Sequence, residues 1–130
     1  MVDSPLREKG RAMRRKLMGE AYAKKLDGSV YTDPIMEKFA EGTQESIFGS
    51  LWTRPGLDLK TRALICVISD AVTGRVEELK LHLRFACNQG WTEDELSEAL
   101  LHLTGYVGAP LVRGALLTAV ELFKELRAEG

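Results

Sequence analysis

Glu78 and His82 stand four residues apart in a stretch with helical periodicity, and that pairing is the clearest chemical possibility in the sequence. On one helical turn the carboxylate could hold one ring nitrogen and leave the other directed at a ligand. An imidazole on an apolar helix face has its protonation set by burial and by any carboxylate in reach, which suits it to moving a proton near neutral pH. The same pattern also fits a core histidine satisfied by a neighbour. A metal would need three or four ordered ligands, and Glu95, Glu98 and His102 are the plausible ones to join the pair.

Arg62 is the second candidate. It falls in the first turn of a strongly apolar helix, where the helix dipole disfavours a cation, so an anion should compensate for it. That anion is either a structural carboxylate such as Asp70, Glu78 or Glu98, or the carboxylate of a substrate. Arg54, on the loop before, reads as a rim or interface residue. Trp52 and Tyr106 could wall a pocket, with the Tyr106 hydroxyl as a donor, or could be core aromatics. The run Tyr106-Val107-Gly108-Ala109-Pro110 breaks one helix and starts another. Gly108 permits the sharp exit, and backbone amides left unpaired there could meet a carboxylate or an enolate oxygen.

These residues need helices to position them. No segment alternates with period two, whereas the 3.6-residue period returns between Gly and Pro punctuation and predicts six helices. The first runs from about Pro5 to Leu26 and is heavily charged. Asp33 and Pro34 open the second, which ends near Gly49 to Trp52. Asp58 caps a third, Leu59 to Thr73, apolar almost all the way round and so expected to be central. The fourth, Val76 to Gln89, puts Leu79, His82, Leu83 and Ala86 on one face and stops at Gly90. A capping box, Thr92 with Glu95, starts the fifth, which buries Leu96, Ala99, Leu100, Leu103 and Val107. The sixth follows Pro110 and presents Val112, Ala115, Leu116, Ala119, Phe123 and Leu126. Short connections favour antiparallel packing, hence an all-α bundle.

A chain of 130 residues with 45% hydrophobic and 28% charged residues suits one compact domain. Its formal charge of -1 argues against nucleic acid as a partner. The basic cluster from Arg7 to Lys16 reads as a solvated helix face. With no apolar run near a bilayer span and no signal-peptide core at the start, a cytoplasmic protein without membrane contact is expected. Cys66 and Cys87 have apolar neighbours and no Cys-x-x-Cys spacing, which favours buried thiols.

Three fragments carry a further reading: Trp52-x-Arg54-Pro55-Gly56-Leu57-Asp58-x-Lys60-Thr61-Arg62, Glu78-Leu79-x-x-His82-x-x-x-Ala86, and Tyr106-x-Gly108-x-Pro110. Together they make the chain resemble the carboxymuconolactone decarboxylase family, from about Phe48 into the last helix. The resemblance implies a six-helix, single-domain, alkyl hydroperoxide reductase D-like bundle over residues 1–130, with 48–126 as the family core and 1–45 less typical. It implies a homo-oligomer, a trimer or hexamer. It also implies a lyase of aromatic degradation, working without a cofactor or a metal, that removes carbon dioxide from 4-carboxymuconolactone, or a similar cyclic acid, through a dienolate to give an enol-lactone.

On that reading His82 donates the proton, Glu78 orients it, and Arg62 binds the anion with Tyr106 or the amides around Gly108. Trp52, Arg54 and Glu98, the last matching an acidic position of the family, complete the substrate's surroundings. Other decarboxylations, tautomerisations or dehydrations of cyclic or polyketide-type acids fit the same parts, as does a non-enzymatic oligomer that binds a small acid. The dithiol branch of the superfamily does not fit, because Arg75 and Glu78 occupy the positions of its two cysteines. Ala63 departs from the family's common Ser, as do the charge runs of the first 45 residues.

Overall fold

The computed structural model describes residues 4–130, and every regular element among them is helical. The chain falls into two compact units, Met1–Leu57 and Asp58–Gly130.

In the first unit, Ser4 caps α1 (Pro5–Met18) by accepting a hydrogen bond from the Arg7 amide at 3.1 Å. The single helix expected from Pro5 to Leu26 is broken at Gly19, whose φ of 90° lies outside the helical region, and α2 (Glu20–Asp27) starts afresh beyond it. After a 3₁₀ turn, Val30–Thr32, the Asp33 side chain accepts from the Ile35 amide at 2.9 Å and opens α3 (Pro34–Thr43), as the Asp-Pro signal predicts. The helix then widens into a π-helical segment, Gln44–Leu51, closed by the Trp52 amide donating to the Ile47 carbonyl at 2.9 Å.

Helix α1 packs on this π segment at backbone contact. A Cβ at Gly10 would lie 1.7 Å from the Gln44 carbonyl oxygen, and one at Gly49 would lie 2.4 Å from that of Leu6. Side-chain-free positions on both elements let them meet so closely. Arg14, buried on α1, pairs with Asp27 at 3.0 Å and lies over the Tyr31 ring. The basic run is therefore not wholly a solvated face, since Arg7 and Arg14 are both buried.

The second unit holds α4 (Leu59–Thr73), α5 (Val76–Asn88), α6 (Glu93–His102), a one-turn α7 (Thr104–Val107) and α8 (Ala109–Glu129). Asp58 caps α4 by accepting from the Thr61 amide at 2.7 Å. Both halves of the Thr92–Glu95 capping box are present at 3.0 Å. The helix expected to continue through Val107 stops at His102, and α7 forms a separate turn before Gly108. With the break at Gly19, that split accounts for more α-helices than the six predicted.

Helix α5 packs on both α4 and α8, and α6 packs on α8. The core comprises Ala63, Val67 and Ala71 of α4, Leu79, Leu83, Phe85 and Ala86 of α5, Leu96 and Leu100 of α6, and Val112, Ala115, Ala119, Leu122 and Phe123 of α8. Burying each of the larger side chains stabilises the unit by about 1.5–3 kcal/mol. Arg84, itself buried, forms a paired hydrogen bond with the Glu129 carboxylate at 2.7 and 2.8 Å, tying the end of α8 to α5.

Helix α4 differs from its expected place at the centre. Its inward stripe is of small residues, and Ile65 and Val72 on the other side are 51% and 37% exposed. The helices that contact it, chiefly α5 with α8 and α6, do not wrap an element that is apolar all round. Among the described residues, no helix is long and apolar enough to cross a membrane.

Candidate active site

The turn between α4 and α5 creates the site. Gly74 takes a left-handed conformation, with φ of 71°, and the Arg75 amide donates to the Asp70 carbonyl at 2.9 Å, which closes α4 and sends the chain back along it. Asp70, one turn before that closure, thus faces His82 in the second turn of α5. His82 Nδ1 and Asp70 Oδ2 are 2.5 Å apart. The Asp70 side chain is 8% exposed and that of His82 20%, so the pair is sheltered but reachable from one side. Phe85, fully buried, sets its ring edge-on to the imidazole at 5.2 Å between centroids.

A carboxylate on Nδ1 fixes the tautomer: Nδ1–H donates to Asp70, and Nε2 is left to exchange a proton with a ligand. The orienting carboxylate is therefore Asp70 from the neighbouring helix. Glu78, on which the i, i+4 spacing had placed that role, is exposed, and among the described residues no hydrogen bond or ion pair joins it to His82. On the sequence alone Asp70 is a possible counter-ion for Arg62. Its one distinguishing signal is an acid within the apolar run Leu64 to Val72, and nothing local links it to a histidine twelve residues on.

The other candidates are dispersed. Arg62 is half-buried in the first turn of α4, eight residues before Asp70 and hence about 12 Å from it along the helix axis. Nearby, Trp91 Nε1 donates to the Lys60 carbonyl at 2.8 Å, while the Lys60 ammonium lies 4.4 Å from the Trp91 ring centroid. Trp91, which belongs to no motif, thereby pins the start of α4. Tyr106 is 76% exposed on α7 and stacks obliquely on His102 at 5.3 Å. Glu98 is exposed on α6. Trp52, buried, and Arg54, exposed, belong to the first unit. Gly108, with φ of 94°, makes the sharp exit expected of it and starts α8. Among the described residues no three His, Cys, Asp or Glu side chains gather as a metal ion would require.

Beside Asp70 lies a cleft of about 180 Å³. Asp70, Ala71 and Gly74 form one wall, Val76 and Leu79 the base of α5, and Pro110, Leu111, Gly114 and Ala115 the facing side on α8. Of the Gly108–Pro110 turn, Pro110 alone lines this cleft. Asp70 is the only ionisable group in its lining. A shallower apolar hollow of about 340 Å³ lies between α6 and α8, among Leu101, Val112, Leu116, Leu117 and Val120.

Neither thiol is poised for redox chemistry. Cys66 and Cys87 are free and sit on different helices. Burial, reinforced by the Asp70 charge, pushes the Cys66 thiol up to about 11, and burial likewise raises that of Cys87. Reactive cysteines have the opposite shift.

Residues 37–121 match the model of the carboxymuconolactone decarboxylase family. The chain is 32% identical over 126 residues to the 4-carboxymuconolactone decarboxylase of Acinetobacter baylyi, covering 97% of this chain and 92% of that protein. It is 31% identical over 127 residues to a nitrosuccinic acid decarboxylase of Metarhizium robertsii, covering 95% and 85%. An uncharacterised 15.0 kDa protein of Paracoccus denitrificans is 32% identical over 83 residues, 62% of either chain. Since both the family model and nearly full-length relatives match, the chain belongs to the carboxymuconolactone decarboxylase family.

Proposed function

We propose that this protein is a carbon–carbon lyase that decarboxylates a small carboxylic acid, with His82 Nε2 supplying the proton and Asp70 positioning the ring. The observation that carries the reading is the 2.5 Å contact between His82 Nδ1 and a buried carboxylate, beside a cleft, in a chain similar over its length to two decarboxylases.

The substrates in those relatives' names suggest the class of acid. A carboxymuconolactone carries a conjugated lactone carbonyl and nitrosuccinic acid a nitro group, and each can accept the electron pair released when the carboxylate leaves. The bond from the carboxyl carbon to the skeleton breaks, its electrons pass into that acceptor, and carbon dioxide departs. The imidazolium at His82 then transfers its Nε2 proton to carbon and is left neutral, still held through Nδ1 by Asp70. Because the substrate carries its own electron sink, the protein needs to orient it, stabilise the developing oxyanion and deliver one proton. Arg62 remains the candidate cation for a substrate carboxylate, with the Tyr106 hydroxyl as a candidate donor and Glu98 as a candidate orienter.

Ile65, Val72, Leu101, Leu117 and Val120 leave apolar surface open on the second unit, and this supports a homo-oligomer in which further copies cover it. Light scattering tests that assembly. The enzymatic reading is tested by carbon dioxide release from 4-carboxymuconolactone and from nitrosuccinic acid, with wild type beside a folded His82→Ala variant. Turnover by wild type that the variant loses supports it, and equal turnover by both overturns the role of His82.

A further inference from the structure

We infer that Gly114 determines the size of acid this protein accepts, by leaving open the apolar end of the cleft whose polar end is Asp70; this rests on the reading of His82 and Asp70 as the decarboxylating pair. The cleft measures about 180 Å³, room for about six water molecules. It is large enough for part of a small organic acid and too small for a bulky one.

Gly114 is an unusual residue for its place. It is the sixth residue of α8, a helix of 21, where glycine weakens the helix relative to alanine. Its φ is not positive, and a Cβ built there would meet nothing within 4 Å. Gly10 and Gly49 differ, since a Cβ at either would strike backbone. No clash of a Cβ with its surroundings therefore accounts for glycine at 114, and Gly114 lines the same cleft as Asp70.

The chemistry of the lining selects what enters. Apart from Asp70 the lining is apolar, chiefly Ala71, Leu79, Leu111 and Ala115. A second carboxylate drawn into this cleft would meet the Asp70 charge in a sheltered site, at an electrostatic cost. The part of the acid that lies toward Gly114 is thus its uncharged carbon skeleton, with the departing carboxylate held elsewhere. One methylene in such a pocket changes selectivity by about 10- to 200-fold.

The test is a graded series, Gly114→Ala, Gly114→Val and Gly114→Leu, against succinic acid and its 2-methyl, 2-ethyl and 2-propyl derivatives, with binding measured by calorimetry. In parallel, kcat/KM is measured for whichever acid wild type decarboxylates and for its homologues. Helix content by circular dichroism screens each variant, and Gly114→Ala, which adds a methyl to open space and favours the helix, keeps the test valid if the larger variants misfold. The expected result is that each enlargement shifts preference toward the smaller acid by about 10-fold or more, chiefly through Kd and KM. An unchanged ranking, an equal loss for every acid, or no binding of any acid overturns the inference. If the ranking shifts while wild type decarboxylates nothing, the cleft is an acid site and the decarboxylase reading is what fails. If decarboxylation is found and the ranking does not shift, the role of Gly114 alone fails.

Discussion

The Asp70 carboxylate, one turn from the end of α4, meets Nδ1 of His82, two turns into α5, across the tight reversal at Gly74 and Arg75. The two positions are twelve residues apart, and the helical hairpin is what joins them. A carboxylate that approaches the ring from the adjacent helix leaves the histidine's own helix face free, so Glu78, one turn before His82 and exposed, is not needed to hold it.

From this follows a difference between two acids. Asp70→Asn should lower kcat by about 10²- to 10⁴-fold, as loss of an orienting carboxylate or a general acid does. Glu78→Gln should stay within a few-fold of wild type. Steady-state kinetics across pH 5 to 9 distinguishes them, and the reverse order would return the orienting role to Glu78.

Thiol chemistry should follow pH in a defined direction. With its value raised from 9.0 to about 11, the Cys66 thiol is neutral at pH 8, with a thiolate fraction about a hundredfold below that of an ordinary cysteine. Native alkylation by iodoacetamide should therefore be slow and accelerate up to about pH 11. The sign for stability is also set: the folded state keeps this proton longer than the unfolded chain, so the contribution is intact below pH 9 and declines as pH rises from about 9 to about 11. Mass spectrometry of alkylated peptides checks the first and thermal melts the second. Rapid labelling at pH 7 would contradict it.

Gly114→Ala should raise stability by about 0.5–1 kcal/mol, since the methyl enters open space and the helix gains a better former. Urea denaturation measures it. A destabilised variant would mean that the cleft closes on α8 in solution.

Gly10→Ala should do the opposite, costing about 3 kcal/mol, because its Cβ would lie 1.7 Å from the Gln44 carbonyl oxygen and α1 would have to shift on the π segment. Gly42→Ala is the control, as a Cβ there meets nothing within 4 Å. Hydrogen exchange in residues 5–51 should increase in the first variant and not in the second.

The amino-acid sequence by itself determined what depends on a few neighbouring residues. The caps at Asp33, Asp58 and Thr92, the buried positions Leu79, Leu83 and Ala86 of α5 and Val112, Ala115, Ala119 and Phe123 of α8, and the exit at Gly108 appear where periodicity and turn chemistry put them, because a cap or a turn is a bond between residues two to four apart. Its three motif fragments also carried the family. The break at Gly19 and the π widening after Thr43 were decided by fit between elements, as the contact of Gly10 with Gln44 illustrates. The partner of His82 was decided in the same way. Spacing along one helix offers Glu78, but Asp70 is the buried carboxylate that the folded hairpin brings within 2.5 Å of the ring, and only tertiary structure sets which acid is sheltered and which faces water.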